Sequence, residues 1–305
     1  MWPSGFDSLD RYLSGGLRSG ELTLLGGPQG VGKTSLALQM LRNVVRAGGT
    51  GVYYSFEHDP ATVLQRLLVI EAGHLGGLDG PTFQQVRETM ENASRSSDDL
   101  PQRLAAFPGG TEAVDALVGY ADRVVVHRSS GGLTDLAEIT TVCTDAAART
   151  GQKPFVVIDY LQKVAVRHGP ELEQERVTVV VEGLKDLALQ EELPILAVVA
   201  ADTEGITSGR RMRVHHLRGS SSLAYEADVI LLLNDKYDVV ARHHLVYDLT
   251  NVERFRDWVV LTIEKNRSGL AGIDLEFRKR LDQARFEADG RLVQERLVDD
   301  RVFVE

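Results

Sequence analysis

The sequence is poor in cysteine, because Cys143 is the only one among 305 residues. A single thiol excludes an internal disulfide and any zinc site that is built from several cysteines. Long apolar runs are also absent, since no stretch approaches the roughly 20 residues that span a bilayer. The first five residues lack the basic start and the apolar segment of a signal peptide. These absences predict a cytoplasmic protein without a membrane segment.

Positive charge is in deficit, with 34 lysines and arginines against 44 aspartates and glutamates, so that the net charge is −10. This balance excludes a protein that binds nucleic acid over its whole surface. It allows a local basic surface, because salt screens charges from one another beyond about 10 Å. Apolar residues are plentiful, at 43% of the chain, which is enough for a sizeable core.

Apolar strand patterns alternate with amphipathic helix patterns, which predicts an α/β fold with a mainly parallel sheet flanked by helices. Strands of this sheet are predicted over residues 21–25, 50–56, 123–127, 155–159, 194–200 and 228–233. Half-exposed antiparallel strands are predicted toward the C-terminus, over residues 243–248, 257–264 and 273–277. Residues 73–119 are the least regular, with helices predicted over 82–93 and 111–118. We expect one domain over residues 1–289 and a short appendage of unknown role over 290–305.

The segment Gly27-Pro28-Gln29-Gly30-Val31-Gly32-Lys33-Thr34 matches the phosphate-binding pattern G-x-x-x-x-G-K-T. A predicted strand precedes it, and a predicted helix continues from Ser35. Its glycines allow backbone N–H groups to converge on phosphate oxygens, and the helix N-terminus adds partial positive charge. Lys33 would reach the terminal phosphates, and Thr34 would be a ligand of Mg²⁺. Residues 27–35 therefore predict a site for ATP with Mg²⁺.

Two carboxylates are candidates for the chemistry of that site. Asp159 ends an apolar strand, and the carboxyl ends of parallel strands lie beside the phosphate loop, so we expect it to hold Mg²⁺ through water. Glu57 follows the second predicted strand and could orient or deprotonate the attacking water. His58 and Asp59 are neighbours that could replace it, and the pattern alone equally fits an acidic residue that only begins a loop.

Two cations follow the predicted strand over residues 257–264. Lys265 and Arg267 share a face, because residues two apart in an extended chain point the same way. They could reach the γ-phosphate of a neighbouring copy, with Arg267 acting as an arginine finger. The alternative from the residues alone is a pair of solvated charges at a strand end.

A basic segment lies between residues 205 and 225, which contain no acidic residue. Its cations are Arg210, Arg211, Arg213 and Arg218. Such a segment can neutralise the backbone phosphates of single-stranded DNA and release counterions. No aromatic residues are interleaved with the arginines, so base stacking is not supported. A solvated loop, or a contact with an acidic face of another subunit, is the open alternative.

The order of these motifs resembles the RecA-like ATPase domain of the DnaB-type replicative hexameric helicases, with RadA- and KaiC-like ATPases as relatives. The residues that carry the resemblance are 5–10, 15–17, 20–22, 27–34, 54–57, 158–162, 217–222, 227–230 and 265–267. The resemblance implies that Glu57 is the catalytic glutamate and that Lys265 and Arg267 form the finger pair. It also implies DNA contact near Arg218, a loader or other protein partner, and a head-to-tail ring, usually of six subunits.

Two features depart from the family's pattern. The family has a polar sensor, a glutamine, late in the strand before the DNA loop, whereas residues 195–201 are apolar here. The ATPase signature begins at residue 5, so the family's N-terminal collar and linker helix are not part of this sequence. A second hypothesis is therefore kept, an ATPase that acts on a protein partner without unwinding DNA. A third is a nucleotide-dependent scaffold with little turnover.

Overall fold

The computed structural model describes residues 1–92, 99–202, 210–219, 221–241, 243–246 and 249–299. The helices in these ranges are α1 (Asp7–Tyr12), α2 (Lys33–Arg46), α3 (Pro60–Gly76), α4 (Phe83–Glu91), α5 (Leu100–Leu104), α6 (Gly110–Val118), α7 (Leu136–Thr150), α8 (Glu173–Glu191), α9 (Ser222–Glu226), α10 (Lys236–Val239), α11 (His243–Val246) and α12 (Leu249–Arg256). The strands are β1 (Leu22–Gly26), β2 (Thr50–Ser55), β3 (Val124–Arg128), β4 (Pro154–Asp159), β5 (Ile195–Val198), β6 (Val229–Asp235), β7 (Trp258–Asn266), β8 (Ile273–Arg280), β9 (Arg285–Phe286) and β10 (Arg291–Leu292).

The strands form one sheet in the order β10-β8-β7-β6-β1-β5-β4-β2-β3, with β9 paired to β8. The six strands from β6 to β3 in this order are parallel to one another. The strands β7, β8 and β10 add an antiparallel extension beyond β6. The predicted α/β fold, with antiparallel strands toward the C-terminus, is confirmed.

Helices cover both faces of the sheet. Successive strand residues point to opposite faces, and each face packs with helices in its own apolar cluster. Leu25, Tyr53 and Val157 belong to the cluster that includes side chains of α2 and α3. Leu24 and Val156 belong to the cluster that includes side chains of α7 and α8. The parallel strands are thus buried on both faces, which leaves their carboxyl ends as the accessible edge for a site.

One predicted strand is wrong. Residues 243–246 form helix α11 instead, and residues 247–248 lie outside the described residues. The segment belongs to a helical connection between β6 and β7, in which Val240, Leu245 and Phe255 pack together. The apolar residues of this alternating segment pack into the small cluster and do not form one face of a sheet. The helix predicted over residues 82–93 is found as α4, and residue 93 lies outside the described part.

The predicted appendage packs against the domain as far as residue 299, and residues 300–305 lie outside the described ranges. Its strand β10 pairs with β8, and the Ala241 N–H donates to the Arg296 carbonyl at 2.8 Å. The Lys236 ammonium is buried between the carboxylates of Glu276 and Glu295. A buried ammonium needs such partners, because removing it from water is costly. This part of the chain therefore joins the antiparallel extension to the helical connection.

Candidate nucleotide-binding and catalytic site

An open cavity of about 640 Å³ lies at the carboxyl ends of the parallel strands. Its lining includes most of the predicted nucleotide residues, namely Gln29, Gly30, Gly32, Lys33, Thr34, Ser35, Glu57 and Asp159. Val31 is buried in the core instead, and its side chain anchors the loop between β1 and α2. The cavity thus brings together residues from three separate segments of the chain.

The phosphate loop relies on Gly32, which caps the N-terminus of α2 in the left-handed conformation, with φ near 105°. A Cβ atom at this position would lie 2.6 Å from the Phe286 ring and 2.9 Å from a methyl of Leu281. Any side chain would therefore be strained both by the backbone and by this contact. No side chain caps α2, so its first N–H groups face the cavity as donors for an anion.

The Lys33 ammonium lies inside the loop and donates to the carbonyls of Gly27 at 2.7 Å and Pro28 at 2.8 Å. Burial lowers its pKa, and the carboxylates of Asp159 and Glu57 partly oppose that effect. These two carbonyls hold the ammonium at the rim of the cavity. A phosphate bound there would offer stronger, charge-assisted hydrogen bonds than the carbonyls do.

The Thr34 hydroxyl donates to the Asp159 carboxylate at 2.8 Å. The same oxygen of Asp159 accepts from the Tyr53 hydroxyl at 2.6 Å. Burial and the adjacent carboxylate raise the pKa of Tyr53, so this phenol stays protonated and remains a donor. A hydroxyl beside a fixed carboxylate suits Mg²⁺, which takes few protein ligands and completes its shell with water and phosphate oxygens. In the part of the chain that the structure describes, no group of three or more His, Cys, Asp and Glu side chains could hold a metal ion.

Glu57 projects from a tight turn at the end of β2. The Ser55 hydroxyl donates to the His58 carbonyl at 2.6 Å and accepts from the His58 N–H at 3.2 Å. Asp59 caps α3 by accepting from the Thr62 N–H at 2.7 Å, and this bond lowers the pKa of Asp59. Asp59 therefore has a structural role, whereas Glu57 is exposed and lines the cavity with His58.

Lys265 and Arg267 lie at the opposite edge of the sheet from this cavity. Since β7 is antiparallel to β6, its end at Asn266 pairs with Val229 at the beginning of β6. The phosphate loop instead follows Gly26, which pairs with Leu232 in the middle of β6, and Gly27 then lies beside Leu233, toward the carboxyl end of that strand. The chain therefore does not bring its own two cations to its own phosphate loop.

The two cations nevertheless share a face, as expected. The ammonium of Lys265 donates to the Tyr225 carbonyl at 3.1 Å, and the guanidinium of Arg267 donates to the same carbonyl. Burial and the neighbouring Arg267 charge lower the pKa of Lys265. Arg267 also pairs with Asp228 at 3.2 Å, and about half of its side chain is exposed. Both cations are thus held side by side at the protein surface.

The four predicted nucleic-acid arginines lie in different environments, and residues 203–209 and 220 of their segment lie outside the described residues. Arg211 is only 5% exposed and pairs with Asp274, so the prediction of a DNA contact does not suit its placement. Arg213 pairs with Glu264 and Asp299. Burial alone would lower its pKa, but those two carboxylates raise it. Arg210 is half-buried, and Arg218 is exposed and lines the nucleotide cavity.

Sequence reasoning did not single out Arg66 in the cavity wall, or Gln162, which bonds to residues of that wall. Arg66 of α3 lines the cavity over the Phe83 ring, and its Nε is buried without an acceptor among the residues that the structure describes. Gln162 lies beyond Asp159 and bonds to two separate backbone segments. No spacing marks Arg66, because its approach to the cavity depends on how α3 packs. The sequence marked Gln162 only as the last residue of the 158–162 segment that carries the family resemblance, and gave it no role of its own.

Among the described residues, no helix combines the length and apolar character needed to cross a membrane. This finding agrees with the sequence, in which no apolar stretch of that length occurs.

Comparisons with known proteins point to one family. The chain is 27% identical over 281 residues to the replicative DNA helicase DnaB of Mycoplasma pneumoniae, covering 88% of this chain and 53% of that protein. It is 27% identical over 194 residues to the DNA repair protein RadA of Mycobacterium tuberculosis, covering 62% of this chain and 37% of RadA. The chain thus spans about half the length, or less, of these curated relatives.

Solved structures support the same fold. A DnaB-like replicative helicase, described with its interactions with primase, superposes with a TM-score of 0.75 at 20% identity, covering 93% of this chain and 62% of that one. A solved structure described as an ATPase domain gives a TM-score of 0.73 at 19% identity, covering 93% and 90%.

The DnaB-like helicase C-terminal domain family matches residues 2–104 and 111–288, which is nearly the whole chain. The strands β7 and β8, the phosphate loop and the residues that line the cavity all lie within this match, whereas β10 lies beyond it. The chain belongs to the DnaB-like helicase C-terminal domain family and has the RecA-like fold.

Proposed function

We propose that this chain hydrolyses ATP with Mg²⁺ and couples the reaction to movement along single-stranded DNA as a ring of copies. The observation that carries the proposal is the 2.8 Å contact between Thr34 and Asp159 in a cavity that Lys33 and Glu57 also line. These residues supply a cation for the phosphates, a metal-binding pair and a carboxylate for water.

Hydrolysis of ATP requires alignment and charge stabilisation more than covalent chemistry by the protein. The N–H groups of the phosphate loop and Lys33 would bind the phosphates, and Thr34 with Asp159 would hold Mg²⁺. When bound, Mg²⁺ offsets the charge on the β- and γ-phosphate oxygens. Glu57 would orient the attacking water and accept its proton. Arg66 offers a second cation from the same chain in the cavity lining.

The placement of the second pair of cations supports a ring. Lys265 and Arg267 lie on the edge opposite the phosphate loop, so their use at a γ-phosphate requires a neighbouring copy. Identical copies arranged head to tail would place this edge of one subunit beside the cavity of the next. We infer a closed ring, with six subunits as the expected number.

DNA binding is proposed for the surface around Arg210, Arg213 and Arg218. Arg218 lines the nucleotide cavity, so a strand that contacts it would lie close to the site of hydrolysis. The ion pair of Arg218 with Glu173 is half exposed and contributes little, so that a phosphate could replace the carboxylate. Backbone contacts of this kind would not depend on base sequence.

A second candidate is an ATPase that acts on a protein partner, such as a loader, without unwinding DNA. It is favoured by the pairing of Arg213 with Glu264 and Asp299, which reduces the positive charge available to DNA. Comparing ATP turnover with and without single-stranded DNA, at low and moderate salt, separates the two functions. Salt-sensitive stimulation supports the DNA motor, and turnover that ignores DNA supports the protein-directed ATPase.

Glu57→Gln is expected to lower the turnover of ATP by roughly 10²–10⁴-fold, because an amide cannot accept the proton of the attacking water. Affinity for ATP should change little, since the side chain keeps its size. Steady-state phosphate release and equilibrium binding measure the two effects. Asp59→Asn, which keeps an N-cap residue on α3, is the control. Native turnover in Glu57→Gln would remove Glu57 from the reaction, whereas little turnover in the native chain itself would favour the nucleotide-dependent scaffold.

Replacing Arg210, Arg213 and Arg218 with alanine should weaken binding of oligo-dT and flatten its dependence on salt. Three lost phosphate contacts would lower the slope of log affinity against log salt by about 2 for a single strand. Fluorescence anisotropy over a salt series measures both quantities. The control replaces Arg87 and Arg256, two exposed arginines that pair with acidic residues on their own helices. An unchanged slope would exclude these three arginines from the DNA site.

A further inference from the structure

Residues 210–218, the arginine segment, are joined to the wall of the nucleotide cavity by a short antiparallel ladder, the cavity ladder, which consists of residues 200–202 and 216–218. Ala201 bridges Leu217, and the Asp202 N–H donates to the His216 carbonyl at 2.9 Å. The Arg218 N–H donates to the Ala200 carbonyl at 2.8 Å. Both sides of this cavity ladder line the cavity, through Ala200, Ala201 and Arg218. A change at the cavity wall is therefore also a change at the base of the arginine segment.

The side-chain amide of Gln162 joins both sides of the cavity ladder to the strand that carries Asp159. Its Oε1 accepts from the Ala200 N–H at 3.2 Å, and its Nε2 donates to the Arg218 carbonyl at 2.7 Å. Gln162 itself lies in the 3₁₀ turn Leu161–Lys163, which follows Asp159 directly after Tyr160. The amide thus uses its donor and its acceptor in two directions, which an apolar or a purely acidic side chain could not do.

The end of β5 offers no polar side chain for this connection. Val198, Val199, Ala200 and Ala201 follow one another there, although Val198 pairs with Asp159 in the sheet. The polar side chain that contacts the cavity ladder instead comes from the turn after β4, the strand that ends at Asp159. This side chain is Gln162.

We propose that Gln162 is a positioning residue that transmits nucleotide occupancy from the Thr34–Asp159 pair to the arginine segment. The inference rests on the proposed function, because it takes Mg²⁺ and ATP as the ligands of that pair. A cation beside Asp159 would fix the position of its carboxylate. Gln162 follows Asp159 by three residues, in the 3₁₀ turn that comes after the buried end of β4. A fixed turn holds the Gln162 amide in place, and the amide then holds both sides of the cavity ladder.

A competing support for the cavity ladder is the ion pair between Arg218 and Glu173 of α8, at 2.8 Å. Both side chains are substantially exposed, so the pair is screened by solvent and contributes little to the position of the backbone. Glu173→Gln removes this support and leaves the Gln162 amide intact. It therefore separates a role of the ion pair from a role of the amide.

The experiment measures amide hydrogen exchange at the cavity ladder, with Mg²⁺ and the non-hydrolysable analogue adenylyl imidodiphosphate as the probe. In the native chain we expect the probe to slow exchange of the Ala200, Asp202 and Arg218 amides. In Gln162→Ala, exchange of these amides should be faster by roughly tenfold without the probe, and should no longer respond to it. Affinity for the probe should stay within about twofold, because Gln162 does not line the cavity.

Gln162→Glu tests the two hydrogen bonds separately. The carboxylate keeps an acceptor for the Ala200 N–H and loses the donor to the Arg218 carbonyl. Only the Arg218 amide should therefore lose the slowing of exchange that the probe causes. Gln190→Ala, at an exposed position of α8, is the matched control and should behave as the native chain. Thermal melting verifies that each variant is folded before exchange is measured.

The outcomes distinguish this inference from the proposed function. If Gln162→Ala retains the native response to the probe, or if Glu173→Gln alone abolishes it, the role of Gln162 is refuted. If the native chain responds at the cavity ladder and Gln162→Ala does not, but the native chain binds no oligo-dT, the DNA function fails and the role of Gln162 is upheld. If the native chain does not bind the probe at all, both are refuted.

Discussion

Arg267→Ala is expected to lower the turnover of ATP by roughly 10³-fold or more while leaving affinity for ATP nearly unchanged, as an arginine finger supplied by a neighbour would. The reason is topological, since the end of β7 lies on the edge opposite the phosphate loop. Within its own chain, Arg267 pairs with Asp228. When Arg267 is replaced, the Asp228 carboxylate still has the Lys185 ammonium and the Leu22 N–H as partners. The fold should therefore tolerate the substitution, and steady-state phosphate release measures the loss.

Mixing subunits tests whether Arg267 acts on a neighbour. A ring of Arg267→Ala and Glu57→Gln subunits contains interfaces where Glu57 of one copy meets Arg267 of the next. Turnover restored by mixing two inactive variants would require both residues at one shared site. Arg87→Ala, which removes an exposed arginine that pairs within its helix, should leave turnover unchanged. Native turnover by Arg267→Ala alone would contradict the finger role.

Lys33→Ala is expected to weaken binding of ATP by roughly 100-fold or more, because the ammonium would make at least two charge-assisted hydrogen bonds to phosphate oxygens. In the structure, Lys33 already lies at the rim of the cavity, where it bonds to the carbonyls of Gly27 and Pro28. Isothermal titration with ATP and Mg²⁺ measures the affinity. All hydrolysis should be lost together with binding.

The matched control for this variant is Lys153→Ala. Lys153 is exposed, pairs with Glu192 and precedes β4 at the edge of the sheet away from the cavity. Its removal should leave affinity for ATP unchanged. Tight binding of ATP by Lys33→Ala, with a native melting temperature, would contradict the assignment of residues 27–35 as the phosphate site.

The positions of the carboxylates at the cavity could be predicted from the sequence only in part. Asp159 could be predicted at the edge of the cavity because it directly ends an apolar strand, and parallel strands share one carboxyl edge. The choice between Glu57 and Asp59 could not be made from the pattern, since both follow the same strand. The structure separates their positions, because Asp59 caps α3 and Glu57 faces the cavity. The catalytic role of Glu57 stays a prediction.

The arginines and the helical connection were less predictable. A run of basic residues does not indicate which guanidinium is buried. Arg211 is buried where Thr262 of β7 and Asp274 of β8 supply its polar partners. Residues 243–246 were mistaken for a strand because a short helix on a small apolar cluster has a similar alternation. Over so few residues, the helical and strand periods are hard to tell apart.

The sequence by itself determined the α/β class, the strand that enters the phosphate loop and the helix that leaves it, because contiguous residues and their periodicity encode these features. Only the tertiary structure decided which distant residues meet. It brought Arg66 to the cavity, buried Arg211, joined Gln162 to both sides of the cavity ladder, and set Lys265 and Arg267 on the opposite edge. These placements depend on strand order and helix packing, which arise from contacts between residues far apart in the chain.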